Sequence, residues 1–278
     1  MGALTVPVIA ALRERMSHNG HGPAGHFNVP RSLGFRPDLQ LLLMEALPGG
    51  PQVARLLKAR LAGKEKAQAG TLSLEESIQA CGRMAAALHG TGIKLGRRRP
   101  FQVETQWLND EFQAIKQVLP DLGSQLLSHL DRVTAYAATV EALPLCFSHG
   151  DFTYTQLIFN GEETGLVDFD TVCQAEPALD LGQYLAYQRL AILKDQNPAS
   201  PMPPEETERL CELFLNSYIV ASEGRLGDER SLRARISVYE MISLMRLALH
   251  SWQKLKGSRL KYSMTLLEER MACLGKMN

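Results

Sequence analysis

Residues 146–172, CFSHGDFTYTQLIFNGEETGLVDFDTV, set His149, Asp151, Asp168 and Asp170 within two apolar, strand-like segments joined by a glycine-containing turn. Carboxylates between hydrophobic strands are costly unless they are paired, hydrogen-bonded or bound to metal. Any fold this chain adopts must therefore satisfy three acids at one place, which points to a site. LPLCFSHGD carries one strand to Asp151 and TQLIFN forms a second. Asn160 and Gly161 open the turn, and TGLVDFD returns to Asp168 and Asp170. Strand alternation places Asp168 and Asp170 on one face, with Phe169 pointing into the core. Carboxylates so spaced lie about 7 Å apart and can bracket a hard divalent cation such as Mg²⁺.

The rest of the chain offers enough apolar material to build around such a site. With 278 residues, 45% of them hydrophobic, it can bury one large core or two small ones. Thirty basic residues balance thirty acidic ones, so no global field favours nucleic acid or an anionic membrane surface. Cys81, Cys146, Cys173, Cys211 and Cys273 are scattered without C-x-x-C spacing and read as reduced, mostly buried thiols. No apolar run reaches the roughly 20 residues of a membrane span. The opening stretch lacks the charged start of a signal peptide, so a cytoplasmic protein is expected.

Residues 4–16 read as an amphipathic helix. Gly20, Gly22 and Gly25 satisfy G-x-G-x-x-G, but a helix precedes them where a phosphate-binding turn requires a strand, so an ordinary connection is expected. VPRSLGF and LQLLLMEALPG flank the turn RPD and predict a hairpin over 29–47, stopped by Pro48, Gly49 and Gly50. A helical pattern runs from 51 to about 90, with Ser73 and Glu76 at capping-box spacing. KLGRRRP at 94–100 reads as a solvated basic loop, although its four charges could meet phosphate or nucleic acid. Two helices follow over 103–142, broken around LPDLGS, and helices resume at 178–195 and 204–274. Trp107 and Trp252, in helical stretches, could line a pocket, although aromatic residues so placed are more often core.

The order His149-Gly150-Asp151, then an amide at Gln156, then Asp168-x-Asp170 and Pro177-x-x-Asp180-Leu181 resembles the aminoglycoside phosphotransferase and choline kinase family. AAALHG, ending at His89, and LLLMEALPGG extend the resemblance. It implies an α+β, predominantly helical, protein-kinase-like fold. Residues 1–47 would form a residual small lobe, and 48–278 a helical large lobe with a catalytic hairpin insert at about 144–172.

The resemblance also implies roles. Asp151 would orient and deprotonate an acceptor hydroxyl, Asp168 and Gln156 would hold Mg²⁺ against nucleotide phosphates, and Asp170 could hold a second metal. Backbone atoms of Glu45, Ala46 and Leu47 would bind the base of ATP or GTP. His149 would brace the catalytic loop and Asp180 would hydrogen-bond its backbone, while His89 is expected to be structural.

Two departures from the family pattern stand out. Gln156 occupies a position where the family usually has Asn, which leaves a metal ligand and a merely packed amide both open. The family's Gly-rich strands and phosphate-pairing Lys have no counterpart before Leu4. Either the chain starts further upstream, or Arg13 or Arg15 substitutes, or catalysis has been lost. The expected function is transfer of a γ-phosphoryl group to a hydroxyl of a small molecule such as an aminoglycoside, sugar or amino alcohol. The alternative is a catalytically silent kinase-like binding module. Metal-assisted hydrolysis is a third reading, with no His pair to favour it. Glu205, Glu206, Glu208 and Glu212 could supply an acidic cleft or a solvated helix face.

Overall fold

The computed structural model describes residues 2–18, 26–65, 70–224 and 228–274. The glycine pattern at Gly20, Gly22 and Gly25 lies outside the described residues. Helix α1 (Gly2–His18) turns Val8, Ile9, Leu12 and Met16 inward, a spacing that suits one helical face. It packs on strand β1 (Ser32–Arg36), which pairs antiparallel with β2 (Leu41–Met44) around the turn 37–40. The expected hairpin is therefore present, with shorter strands. Its side chains Leu33, Leu41 and Leu43 remain about half exposed.

Gly49, at φ +97°, lets the chain leave β2 closely against a later strand, because a Cβ there would sit 2.0 Å from the Phe159 carbonyl oxygen. Beside it Gly50 and Phe159 exchange both backbone hydrogen bonds, at 3.1 and 2.9 Å, which ties the hairpin to the acid-bearing region.

Helices α2 (Gln52–Leu61) and α3 (Leu74–His89) follow, and Ser73 and Glu76 form the reciprocal capping box at the start of α3. The basic segment departs from expectation. Arg97 and Arg98 form a short strand, β3, parallel to a later strand, while Arg99 is buried. Lys94, Arg97 and Arg98 keep their side chains exposed as expected, while backbone pairing and the ion pair of Arg99 give the stretch a structure that a loop lacks. Helices α4 (Phe101–Val118) and α5 (Pro120–Ala138) turn sharply at Leu119, and Gly123 lies inside α5 against the Lys116 backbone.

Strand β4 (Cys146–Ser148), the hairpin β5 (Leu157–Asn160) and β6 (Glu163–Leu166), and strand β7 (Cys173–Ala175) carry the site. They form two small sheets, a β3-β7-β4 sheet and the β5-β6 hairpin. Four helices complete the body: α6 (Ala178–Asp195), α7 (Pro204–Ser222), α8 (Glu229–Gln253) and α9 (Gly257–Leu274). Helix α6 is buried along most of its length between α8, α7 and α9, and α3 lies along α7. No described helix is long and apolar enough to cross a membrane. Cys81, Cys146, Cys173 and Cys211 are buried free thiols and Cys273 is exposed.

Candidate active site

The loop that follows β4 has its backbone held from every side. Asp180, in the first turn of α6, accepts the N–H groups of His149 and Gly150 at 2.7 and 2.8 Å. The Thr171 hydroxyl donates to the His149 carbonyl at 2.9 Å, and Arg99 donates to the Gly150 carbonyl at 3.3 Å. Arg99 is itself fixed by a buried ion pair with Glu104. Gly150 sits at φ +78°, and a Cβ there would meet the Thr171 carbonyl oxygen at 2.3 Å. The turn can be made only by glycine without displacing that neighbour.

Asp180 is fully buried, yet its carboxyl titrates below the ordinary range. Burial alone would raise it; the hydrogen bond and charge of His89, the charge of His149 and the His149 N–H outweigh that cost. The His149 ring packs between Phe152 and Phe169, and its Nε2 lies 3.0 Å from the Val167 carbonyl. Its Nδ1 is buried with no partner among the described residues.

This scaffold presents Asp151 beside a cavity of about 450 Å³ between α6, α8 and the start of α9. Gln183 of α6 donates to Asp151 Oδ1 at 2.5 Å and so fixes the carboxylate. Trp107 lines the same cavity and is 41% exposed, the pocket position rather than the core one. Trp252 is half-buried against the core. The acids of α7 do not line this cavity: Glu206 pairs with Arg60 and Arg209, Glu208 with Arg189, and Glu212 with Arg233.

The strand expected through Asp168 and Asp170 is not formed. Strand β6 ends at Leu166, Asp168 adopts a left-handed conformation at φ 69°, ψ 61°, and residues 169–171 make a 3₁₀ turn. Burial of Phe169 draws the backbone inward and turns it toward β7, so period-two alternation does not apply. The two acids then have different partners. Asp168 accepts from the Gln156 amide at 3.0 Å, whereas Asp170 Oδ1 accepts from Thr5 of α1 at 2.8 Å.

No cluster of three metal-ligating acids, histidines or cysteines occurs among the described residues. A Mg²⁺ site made by the Gln156 amide oxygen and the Asp168 carboxylate fits on donor chemistry. Both offer hard oxygen donors; the Gln156 NH₂ group now faces Asp168, so the amide would turn over to present its oxygen, and the pair is exposed enough for water and phosphate oxygens to complete an octahedral shell. The left-handed strain at Asp168 is of the kind kept where a side chain must be aimed.

At the end of β2, Glu45 donates its N–H to the Arg31 carbonyl at 2.8 Å. Among the described residues, the Glu45 carbonyl and the Leu47 N–H have no hydrogen-bond partner. Leu47 packs against Gly165 of β6, so this segment lies over the β5-β6 hairpin.

Sequence reasoning did not find Arg99, Thr171, Gln183 or Thr5 as supports of the site. The only available signal was the arginine run itself, in which nothing marks Arg99 apart from its two neighbours.

An α+β, mostly helical body with a small hairpin tied over these acids is the architecture of the protein-kinase-like phosphotransferases. The chain belongs to the phosphotransferase enzyme family, whose model matches residues 4–203. No curated protein sequence matches it. Among solved structures, it is similar to a choline/ethanolamine kinase family protein from Mesorhizobium loti, with TM-score 0.61 and 15% identity over 100% of this chain and 84% of that one. It is also similar to a glucosamine kinase in complex with glucosamine, ADP and inorganic phosphate, with TM-score 0.62 and 18% identity over 97% and 74% of the two chains. A third is the GDP and kanamycin complex of APH(2")-IIia, with TM-score 0.55 and 15% identity over 95% and 82%. At these identities the likeness establishes the fold.

Proposed function

We propose that the protein transfers the γ-phosphoryl group of ATP or GTP to a hydroxyl of a small molecule. The observation that carries this reading is Asp151, held by Gln183 at the edge of a cavity and set on a loop whose backbone is fixed by four hydrogen bonds from Asp180, Thr171 and Arg99. A carboxylate so aimed is suited to receive the acceptor proton. The acceptor O–H bond breaks toward Asp151, the oxygen attacks the γ-phosphorus, and the bond to the β-phosphate oxygen breaks to release a nucleoside diphosphate. Phosphoryl transfer depends mostly on position and charge neutralisation, which is why rigid placement of Asp151 matters more than its intrinsic basicity.

Gln156 and Asp168 would hold Mg²⁺, which when bound neutralises phosphate charge. The second oxygen of Asp170 would serve a second Mg²⁺ while Thr5 keeps the first oxygen in place. The Glu45 carbonyl and Leu47 N–H, with Ala46 between them, would take the edge of the nucleotide base. The ADP and GDP complexes of the similar structures support a nucleotide as co-substrate.

The test is transfer of labelled γ-phosphate to a set of hydroxylated acceptors by the wild type and Asp151→Ala. The expected result is turnover that falls at least about 100-fold in the variant, with nucleotide affinity kept. Turnover unchanged by the substitution would overturn the assignment. A wild type that binds nucleotide but transfers to no acceptor would identify a catalytically silent module.

A further inference from the structure

We infer that the acceptor is an anionic hydroxy compound, a small molecule bearing a carboxylate or phosphate as well as the hydroxyl that is phosphorylated, and that Arg259 binds its anionic group. The inference rests on the reading that Asp151 receives the acceptor hydroxyl. Two cavities meet there. The first, about 450 Å³, contains Asp151, Trp107, Tyr187, Arg246, His250 and Arg259 in its wall. The second, about 660 Å³, shares Tyr187 and Arg259 with it and adds Lys194 and Lys256. Among the described residues, Asp151 is the only acid lining either cavity.

The four cations are not equivalent. Arg246 is committed to Glu104 at 2.5 Å and lies over Trp107, and Lys194 is 3.2 Å from Asp195. Arg259 and Lys256 have no carboxylate within ion-pair distance among the described residues. Arg259 is half-buried; its guanidinium lies over the Tyr187 ring at 5.9 Å and hydrogen-bonds the Tyr187 hydroxyl, which leaves its other N–H donors for a ligand. That fork matches a carboxylate or phosphate, and holding both ends of an acceptor would fix its hydroxyl toward Asp151.

The local field agrees. His250 titrates below its ordinary range, through burial first and then the charges of Arg259, Lys254 and Lys256, so it is a neutral hydrogen-bonding group near pH 7. A polycationic acceptor would face Arg246, Arg259 and Lys256 with one acid to meet it. Of the acids on α7 that could have formed an acidic cleft, Glu206, Glu208 and Glu212 are paired with arginines, and none lines this cavity.

Trp107 supplies a reporter in the cavity wall. The test is fluorescence titration of the full chain carrying Trp252→Phe, with Mg·ADP present, using D-gluconate, glucose 6-phosphate, glucose and glucosamine. The expected result is saturable binding of one of the two anions at least about tenfold tighter than glucose and glucosamine, weakened at least about tenfold by Arg259→Gln and partly restored by Arg259→Lys. Tighter gluconate assigns a carboxylate, and tighter glucose 6-phosphate assigns a phosphate. Equal affinities, a preference for glucosamine, or no saturable binding of either anion would overturn the inference while leaving the phosphotransfer reading intact. Anion binding unaffected by Arg259→Gln would overturn the role of Arg259. Absence of Mg·ADP binding, read from thermal unfolding of the same samples, would overturn the phosphotransfer reading and this inference with it.

Discussion

The His89 imidazole stands 3.1 Å from the Asp180 carboxylate, with both side chains completely buried, and Tyr218 closes the other side of the ring at 3.0 Å. The end of α3 is thereby linked through one carboxylate to the backbone of the loop that carries Asp151. Removing Asp180 would leave two buried backbone N–H groups and His89 without their acceptor. Asp180→Ala is expected to cost about 3 kcal/mol or more in urea unfolding at neutral pH.

The same carboxylate sets a pH dependence. Its folded-state pKa is depressed, so the stability it contributes is fully present above its unfolded value of about 3.9 and is lost as pH falls through the folded value. The stability gap between the wild type and Asp180→Asn is therefore expected to be constant from pH 6 to 7, on the order of a kcal/mol or more, and to close below about pH 4. A gap that widened on acidification would contradict the assignment.

Gly150→Ala tests the turn that aims Asp151. The left-handed backbone and the contact with the Thr171 carbonyl oxygen are both intolerant of a Cβ. The substitution is expected to destabilise the protein by about 2 kcal/mol and to lower turnover more than nucleotide affinity, measured by denaturation and steady-state kinetics.

Gln156→Ala removes the amide that meets Asp168. If that amide helps to hold Mg²⁺, the Mg²⁺ concentration for half-maximal nucleotide binding should rise about tenfold, as ligand and near-ligand substitutions commonly cause. An unchanged requirement would identify Gln156 as a packed amide.

The thiols give an independent check on the core. Burial pushes Cys81, Cys146, Cys173 and Cys211 up to about 12, whereas Cys273 is exposed. A thiol-specific reagent at pH 7.5 should label Cys273 rapidly and the other four only after unfolding, as mass spectrometry of the labelled peptides would show.

Much of the fold was legible because its signals are local. The capping box at Ser73, the Pro-Asp turn of the first hairpin and the helix breaks each depend on neighbouring residues. The loop from His149 to Asp151, Gln156, Asp168 and Asp180 was legible as a pattern, since its spacing is carried by one hairpin and one helix start. What was not legible comes from tertiary contact. Arg97, Arg98 and Arg99 are alike in sequence, and only the fold buries the third beneath Gly150. Strand alternation misplaced Asp168 because the burial of Phe169 turns the chain away from the strand. Gln183 and Tyr187 stand one turn apart on α6 and Arg259 comes from α9, and no local pattern encodes their meeting at the cavity beside Asp151.

Thermal unfolding with and without Mg·ATP tests most directly whether Asp168 builds a Mg²⁺-dependent nucleotide site. At 100 times its dissociation constant the nucleotide should stabilise the wild type by about 2.7 kcal/mol, with the gain lost on removing Mg²⁺ and in Asp168→Asn. No stabilisation at millimolar Mg·ATP, or an equal gain in the variant, would contradict it.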